Sequence, residues 1–159
     1  MANLSEITIY KSKLMKTMLS DKKIVALLTN SDEESTLVPN TTLAYTQVFP
    51  YDFIPEPSTE QTSFICFDID VPRTQTCAVK DVYIYIYIFT HKDLMRVQGE
   101  GIRTDLIASR VDYIINGDTS YGFGKVELQS LSRISPVSDF QGRILKYYVQ
   151  DFNRICEKL

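Results

Sequence analysis

The hydrophobic pattern is strongest at Val82 to Phe89, where Val-Tyr-Ile-Tyr-Ile-Tyr-Ile-Phe contains no charged position. Side chains alternate across a strand, so Val82, Ile84, Ile86 and Ile88 share one face. Tyr83, Tyr85, Tyr87 and Phe89 share the other. A strand that is apolar on both faces belongs in the middle of a sheet covered on both sides. A chain of 159 residues has little material for two covering layers. The expected arrangement puts the chain's own helices over one face and leaves two readings of the other. In the first, another subunit covers the tyrosines, whose polar tips suit a buried surface that stays partly wet. In the second, this is an ordinary core strand with satisfied hydroxyls.

The flanking pattern supplies the rest of the sheet. Ser63 to Val71 alternates Ile65, Phe67, Ile69 and Val71 against Phe64, Cys66, Asp68 and Asp70. With a turn at Pro72 to Thr76, it predicts an antiparallel hairpin with Val79 to Phe89. Two more strands are predicted, at about Lys125 to Ile134 and Gly142 to Phe152, joined by a loop at Ser135 to Gly142. Helical spacing appears at Leu4 to Asn30, with Ser20-Asp21 as the cap of a second short helix at Lys22 to Leu28. A further helix is predicted over Ile102 to Asn116, with Ile102, Leu106, Ile107, Val111, Ile114 and Ile115 as its apolar stripe. Asn116-Gly117 closes it, because Gly is favoured just past a helix end. The order predicts one α+β domain spanning residues 1–159, with N-terminal helices and an antiparallel or mixed four-stranded sheet. A second helix packs on one face of that sheet.

Ser35 to Thr62 fits neither period. It holds four of the six prolines, which block helix interiors and central strands, so a long irregular loop is expected. Yet it carries Phe49, Tyr51, Phe53 and Ile54, which a disordered linker would lack. Long loops in small domains are functional or ordered by contacts. Phe49, Tyr51, Phe53 and Ile54, with Tyr83, Tyr85 and Tyr87, are therefore the candidate interface residues.

Composition narrows the chemistry. The net charge of −3 argues against a dedicated phosphate-backbone binder, which is normally basic. Cys66, Cys77 and Cys156 are widely spaced, which suits neither a zinc site nor a disulfide framework and points to a reducing compartment. Met1 to Tyr10 has no long apolar run, and no stretch approaches a membrane span, so neither a signal peptide nor a membrane partner is expected. The single histidine, His91, reads as a solvated loop residue, and no nucleophile stands in a triad context. Asp68 and Asp70 share a strand face, as carboxylates do in metal-dependent nucleases, where Mg²⁺ takes hard oxygen ligands. More often such a pair is a solvated face or a partner for Arg and Lys. Gly99-x-Gly101 precedes a helix without the rest of a phosphate fingerprint. No catalytic, cofactor-binding or metal-binding residue is expected.

Several segments together resemble the tail terminator, or tail completion, proteins of long-tailed bacteriophages. They are Asp21-Lys-Lys-Ile-Val-Ala-Leu-Leu28, Val48-Phe-Pro-Tyr-Asp-Phe-Ile-Pro55 and Ser63-Phe-Ile-Cys-Phe-Asp-Ile-Asp-Val71. The helix Leu106-Ile-Ala-Ser-Arg-Val-Asp-Tyr-Ile-Ile115 and the strands Gly124-Lys-Val-Glu-Leu128 and Gly142-Arg-Ile-Leu-Lys-Tyr-Tyr-Val149 complete the likeness. Other neck and head-to-tail joining proteins share the size and the ring habit. The chain departs from the pattern in its long Pro-rich aromatic loop. The resemblance implies a structural virion protein, made in the bacterial host cytoplasm. It forms a ring of six copies at the tail-head junction, between the tail tube protein and the connector or stopper proteins. DNA passes through the lumen without specific binding, and an acidic wall would not hold it. The family has no catalytic residues. The competing reading is a small metal-dependent nuclease built on Asp68 and Asp70.

Overall fold

A computed structural model of the chain describes residues 4–30, 43–56, 61–74 and 78–152. The helical spacing of the N-terminal segment becomes two helices, α1 (Ser5–Ser20) and α2 (Lys22–Thr29). Asp21 divides them: its backbone is extended, and its carboxylate accepts the Ile24 N–H at 3.0 Å, as an N-cap does. Asn30 ends α2 in the left-handed region, with φ of 53°.

The strands are β1 (Val48–Phe49), β2 (Ser63–Thr74), β3 (Val79–His91), β4 (Arg96–Val97), β5 (Gly101–Ile102), β6 (Glu127–Val137) and β7 (Phe140–Phe152). Helix α3 (Arg103–Ile115) lies between β5 and β6. Five strands form a mixed sheet in the order β1-β2-β3-β7-β6. β1 runs parallel to β2, and the other neighbours are antiparallel. The two-sided strand β3 is in the centre, hydrogen-bonded along its length to β2 and β7.

Helices α1, α2 and α3 cover one face of this sheet. Leu14 and Met18 of α1, Ile24 and Leu28 of α2, and Ile107 and Val111 of α3 join the buried Val82, Ile84, Ile86 and Ile88 in one core. Two polar clamps fix the helices. Arg110 holds Asp21 through Nε and Nη2, the shorter contact being 2.7 Å. Buried Arg103 donates to the Leu27 carbonyl at 2.6 Å and to Asn30 Oδ1 at 2.7 Å, completing the end of α2. At the other end, Lys80 is buried on the helix side, with Glu6 at 2.9 Å and Asp151 at 3.7 Å. The Tyr10 hydroxyl donates to the same Asp151 at 2.6 Å.

The structure corrects the expected pattern in five places. The sheet has a fifth strand, β1, inside the segment read as irregular; it is too short to show a period. β2 runs past Pro72 to Thr74, since an outer stretch of strand tolerates proline. The Gly99 break is the tip of a small β4–β5 ribbon, so Ile102 is exposed in that ribbon rather than on the α3 stripe. The β6–β7 connection shrinks to Ser138 and Asp139, because Val137 pairs with Phe140. Gly142 accordingly lies within β7, where a Cβ would sit 1.7 Å from the Ile88 carbonyl oxygen. Residues 35–42 and 57–60 of the expected loop, 75–76 of the expected turn, Cys77 and Cys156 lie outside the described residues.

Candidate functional site

The face of the sheet opposite the helices is aromatic and only partly covered. At one end a second, smaller core forms from Phe49, Phe64, Cys66, Phe89 and Phe140, with Phe53 and Tyr87 packed against it. The loop reaches over the sheet here. Phe49 stacks on Phe53 with ring centroids 3.9 Å apart, and Phe53 lies 5.3 Å from Phe64. Cys66 is enclosed beneath them, and burial pushes its thiol up to about 12, so it is neutral and unreactive at ordinary pH. Phe140 continues the row to His91, edge-on at 5.3 Å. His91 is therefore not the solvated loop residue expected. It ends β3 buried, and its Nδ1 accepts the Asp93 N–H at 3.2 Å at the start of a one-turn 3-10 helix.

Beyond this cluster the aromatic row emerges. Tyr83, Tyr85 and Tyr87 are each half-buried, neither sealed nor free. Tyr85 and Tyr87 stack at 6.5 Å, and Tyr83 lies 5.3 Å from Tyr148 of β7. Lys146 holds its ammonium 4.5 Å above the Tyr83 ring and 5.8 Å from the Tyr85 ring. The Tyr148 hydroxyl donates to Asp81 Oδ1 at 2.8 Å, and Arg73 lies 3.5 Å from the other Asp81 oxygen. This is an aromatic patch bordered by charge, the composition of an interface with a dry centre and a polar rim.

The loop divides the other candidates. Phe49 belongs to the chain's own second core, and Phe53 is half-buried against it. Tyr51 and Ile54 point outward, 46% and 59% exposed. Tyr45 joins them at 63% exposure, 6.5 Å from Tyr51. Its φ of 62° is unusual for a bulky residue and is held by a hydrogen bond from its N–H to the Val48 carbonyl at 2.8 Å. Tyr45 and Pro50 also wall an apolar groove of about 560 Å³ against α1, whose Met15 and Leu19 line it.

Asp68 and Asp70 do not converge as a metal pair. Lys11 reaches from α1 to Asp68 at 2.8 Å, and the Ile69 N–H donates to the same carboxylate oxygen. Among the described residues, no three His, Cys, Asp or Glu side chains stand together as a metal set. No helix of the described residues is long and apolar enough to cross a membrane.

Sequence reading missed Tyr45, Lys146, Tyr148 and Asp81 as parts of this surface. The alternation of β7 places Lys146 and Tyr148 on one face, but only the β3–β7 register puts them beside Tyr85 and Tyr83. Tyr45 carried no signal beyond its place in an aromatic loop.

Fold and site together define a small α+β protein with a helix-covered sheet whose second face is aromatic and half open. The chain belongs to the YomW family, a Bacillus phage-derived family, whose pattern matches residues 21–149. That span runs from the cap of α2 into β7 and includes β3 and both parts of the aromatic surface. No curated protein matches the chain.

Proposed function

We propose that this phage-derived protein is a structural virion subunit that forms a ring at the head-proximal end of the tail tube. There it ends tail growth and joins tail to head, acting through contact rather than catalysis. The observation that carries this reading is the half-covered row Tyr83, Tyr85 and Tyr87, which the chain's own helices leave on the far side of the sheet. A large aromatic surface of that kind marks a place where another protein packs. Exposed Tyr45, Tyr51 and Ile54 extend it along the loop. The sheet also ends in β6, which pairs with β7 alone and exposes most of its length, so a neighbour can lie against that edge. The phage origin of the family and the resemblance to tail terminators fit these features, and the resemblance implies six copies. The partners in this reading are the tail tube protein below and the connector or stopper proteins above. DNA moves through the ring.

Removal of the gene from a phage that encodes this chain tests the reading. Loss of the subunit should leave filled heads and separate tails of uncontrolled length, restored by the wild-type chain. Normal, joined tails in its absence would contradict it.

A further inference from the structure

A cavity of about 510 Å³, the size of a small-ligand site, opens where the start of α3 meets the β4–β5 ribbon and the paired ends of β6 and β7. It lies apart from the aromatic surface, and its chemistry does not depend on the ring.

Its polar groups are arranged for an anion. Arg133 of β6 and Arg143 of β7 face each other directly across the ladder, and both line the cavity. Like charges in that position repel unless something between them is negative. Asp105 satisfies only one, taking the Arg143 Nε at 2.9 Å. Among the described residues, Arg133 has no carboxylate partner. Helix α3 begins at the same place, and Ile102 at its N-cap provides no side-chain cap. Met95 accepts the Arg103 N–H at 2.7 Å, but no acceptor among the described residues takes the N–H groups of Thr104 and Asp105. The positive end of this 13-residue helix has the first-turn Asp105 beside it, a carboxylate engaged by Arg143, while its N–H groups stay open. Thr104 provides a separate observation. It lines the cavity, is 2% exposed, and its hydroxyl has no partner among the described residues. Leaving a buried hydroxyl without a partner is costly, so a ligand oxygen there would be stabilising.

We propose that this cavity binds a phosphate group. The N–H groups of Thr104 and Asp105 and the Thr104 hydroxyl donate to its oxygens, and Arg133 supplies the counter-charge. A planar guanidinium presents parallel donors suited to a phosphate. Among the described residues, Asp105 is the one negative group lining the cavity, and it is already held by Arg143. Met95, Ile102 and Ile134 give an apolar wall for the organic part of a phosphate ester. The ester is either a free nucleotide or a phosphate of DNA.

Calorimetric titration of the full chain at low salt, with inorganic phosphate, deoxythymidine 5′-monophosphate and a short DNA duplex, tests this. At least one of these probes should bind at one site per chain. Arg133→Gln, an exposed change that leaves the fold intact, should weaken binding about tenfold or more, the size of a lost charge-assisted bond. Thr104→Val should also weaken binding, with its unfolding temperature measured alongside. Displacement of the monophosphate by the duplex would assign the site to DNA, and failure of the duplex to compete would assign it to the small ester. Absence of binding by all three probes would overturn the proposal. Binding of equal affinity in the wild type and Arg133→Gln would overturn it as well.

Discussion

Phe49 and Tyr51 lie two residues apart in one loop and have opposite surroundings. Phe49 is 5% exposed, stacked on Phe53 and closing the second core, whereas Tyr51 is 46% exposed. Burial decides what each substitution does. Phe49→Ala leaves a cavity beside Phe64 and should lower stability by about 3–5 kcal/mol. Tyr51→Ser loses an edge-on contact with the Phe49 ring at 5.7 Å and should cost no more than about 1.5 kcal/mol. Its effect should appear instead as reduced incorporation into particles. Denaturant unfolding together with the amount of each variant in purified particles separates the two effects. If Tyr51→Ser unfolds the subunit, or if it enters particles at the wild-type level, the outward half of the loop is not an interface. The sequence marked these aromatics as important but could not separate inward from outward. An irregular loop has no period, and only its docking over β2 sorts Phe49 from Tyr51.

Two elements show how the fold is fixed, and each gives a test. Asp21 joins α2 to α3 by capping one and pairing with Arg110 of the other. Burial alone would raise its carboxyl. The Arg110 bonds, the Ile24 and Lys23 N–H groups and the Arg110 charge outweigh that and hold it below its ordinary 3.8. A carboxyl lowered on folding contributes stability that is present above its unfolded value and is lost as pH falls through its folded value. Acid unfolding curves should therefore show Asp21→Asn less stable than the wild type near neutrality, with the gap closing below about pH 4. A gap of constant size down to strong acid would contradict this origin. In β7, Gly142 lets the strand approach Ile88 closely. Gly142→Ala should destabilise by about 2–4 kcal/mol, the range of core overpacking and backbone displacement, measured by thermal unfolding. The long elements were legible because each carries its own period. The Ile and Tyr alternation of β3, the apolar stripe of α3 apart from Ile102, and the cap at Asp21 all read correctly. β1 and the β4–β5 ribbon were not legible, because strands of two residues show no alternation. Gly142 read as the junction of loop and strand, because glycine has the same sequence signature at a turn and at a close strand crossing.

For the whole molecule, the central question is what covers the second face of the sheet. Three helices occupy the first face, and the described residues of the loop extend over the end that holds Phe64 and Phe89. In the proposed function, a partner covers the stretch from Tyr87 to Tyr83. The aromatic face, the loop tip and the β6 edge are different surfaces, so copies joining through them meet head to tail. Such contacts either close into a ring or grow into a filament. A subunit that stops tail growth must close. Individually weak joints gain strength when several form together, so closure on the tail end is compatible with a monomer in dilute solution. Electron microscopy of the intact phage particle tests this account most directly. It should show a single sixfold ring of this chain between tail tube and head connector, with the tyrosine face packed against a neighbour. A twelvefold connector or a repeating tube built from this chain, or its absence from the particle, would contradict it.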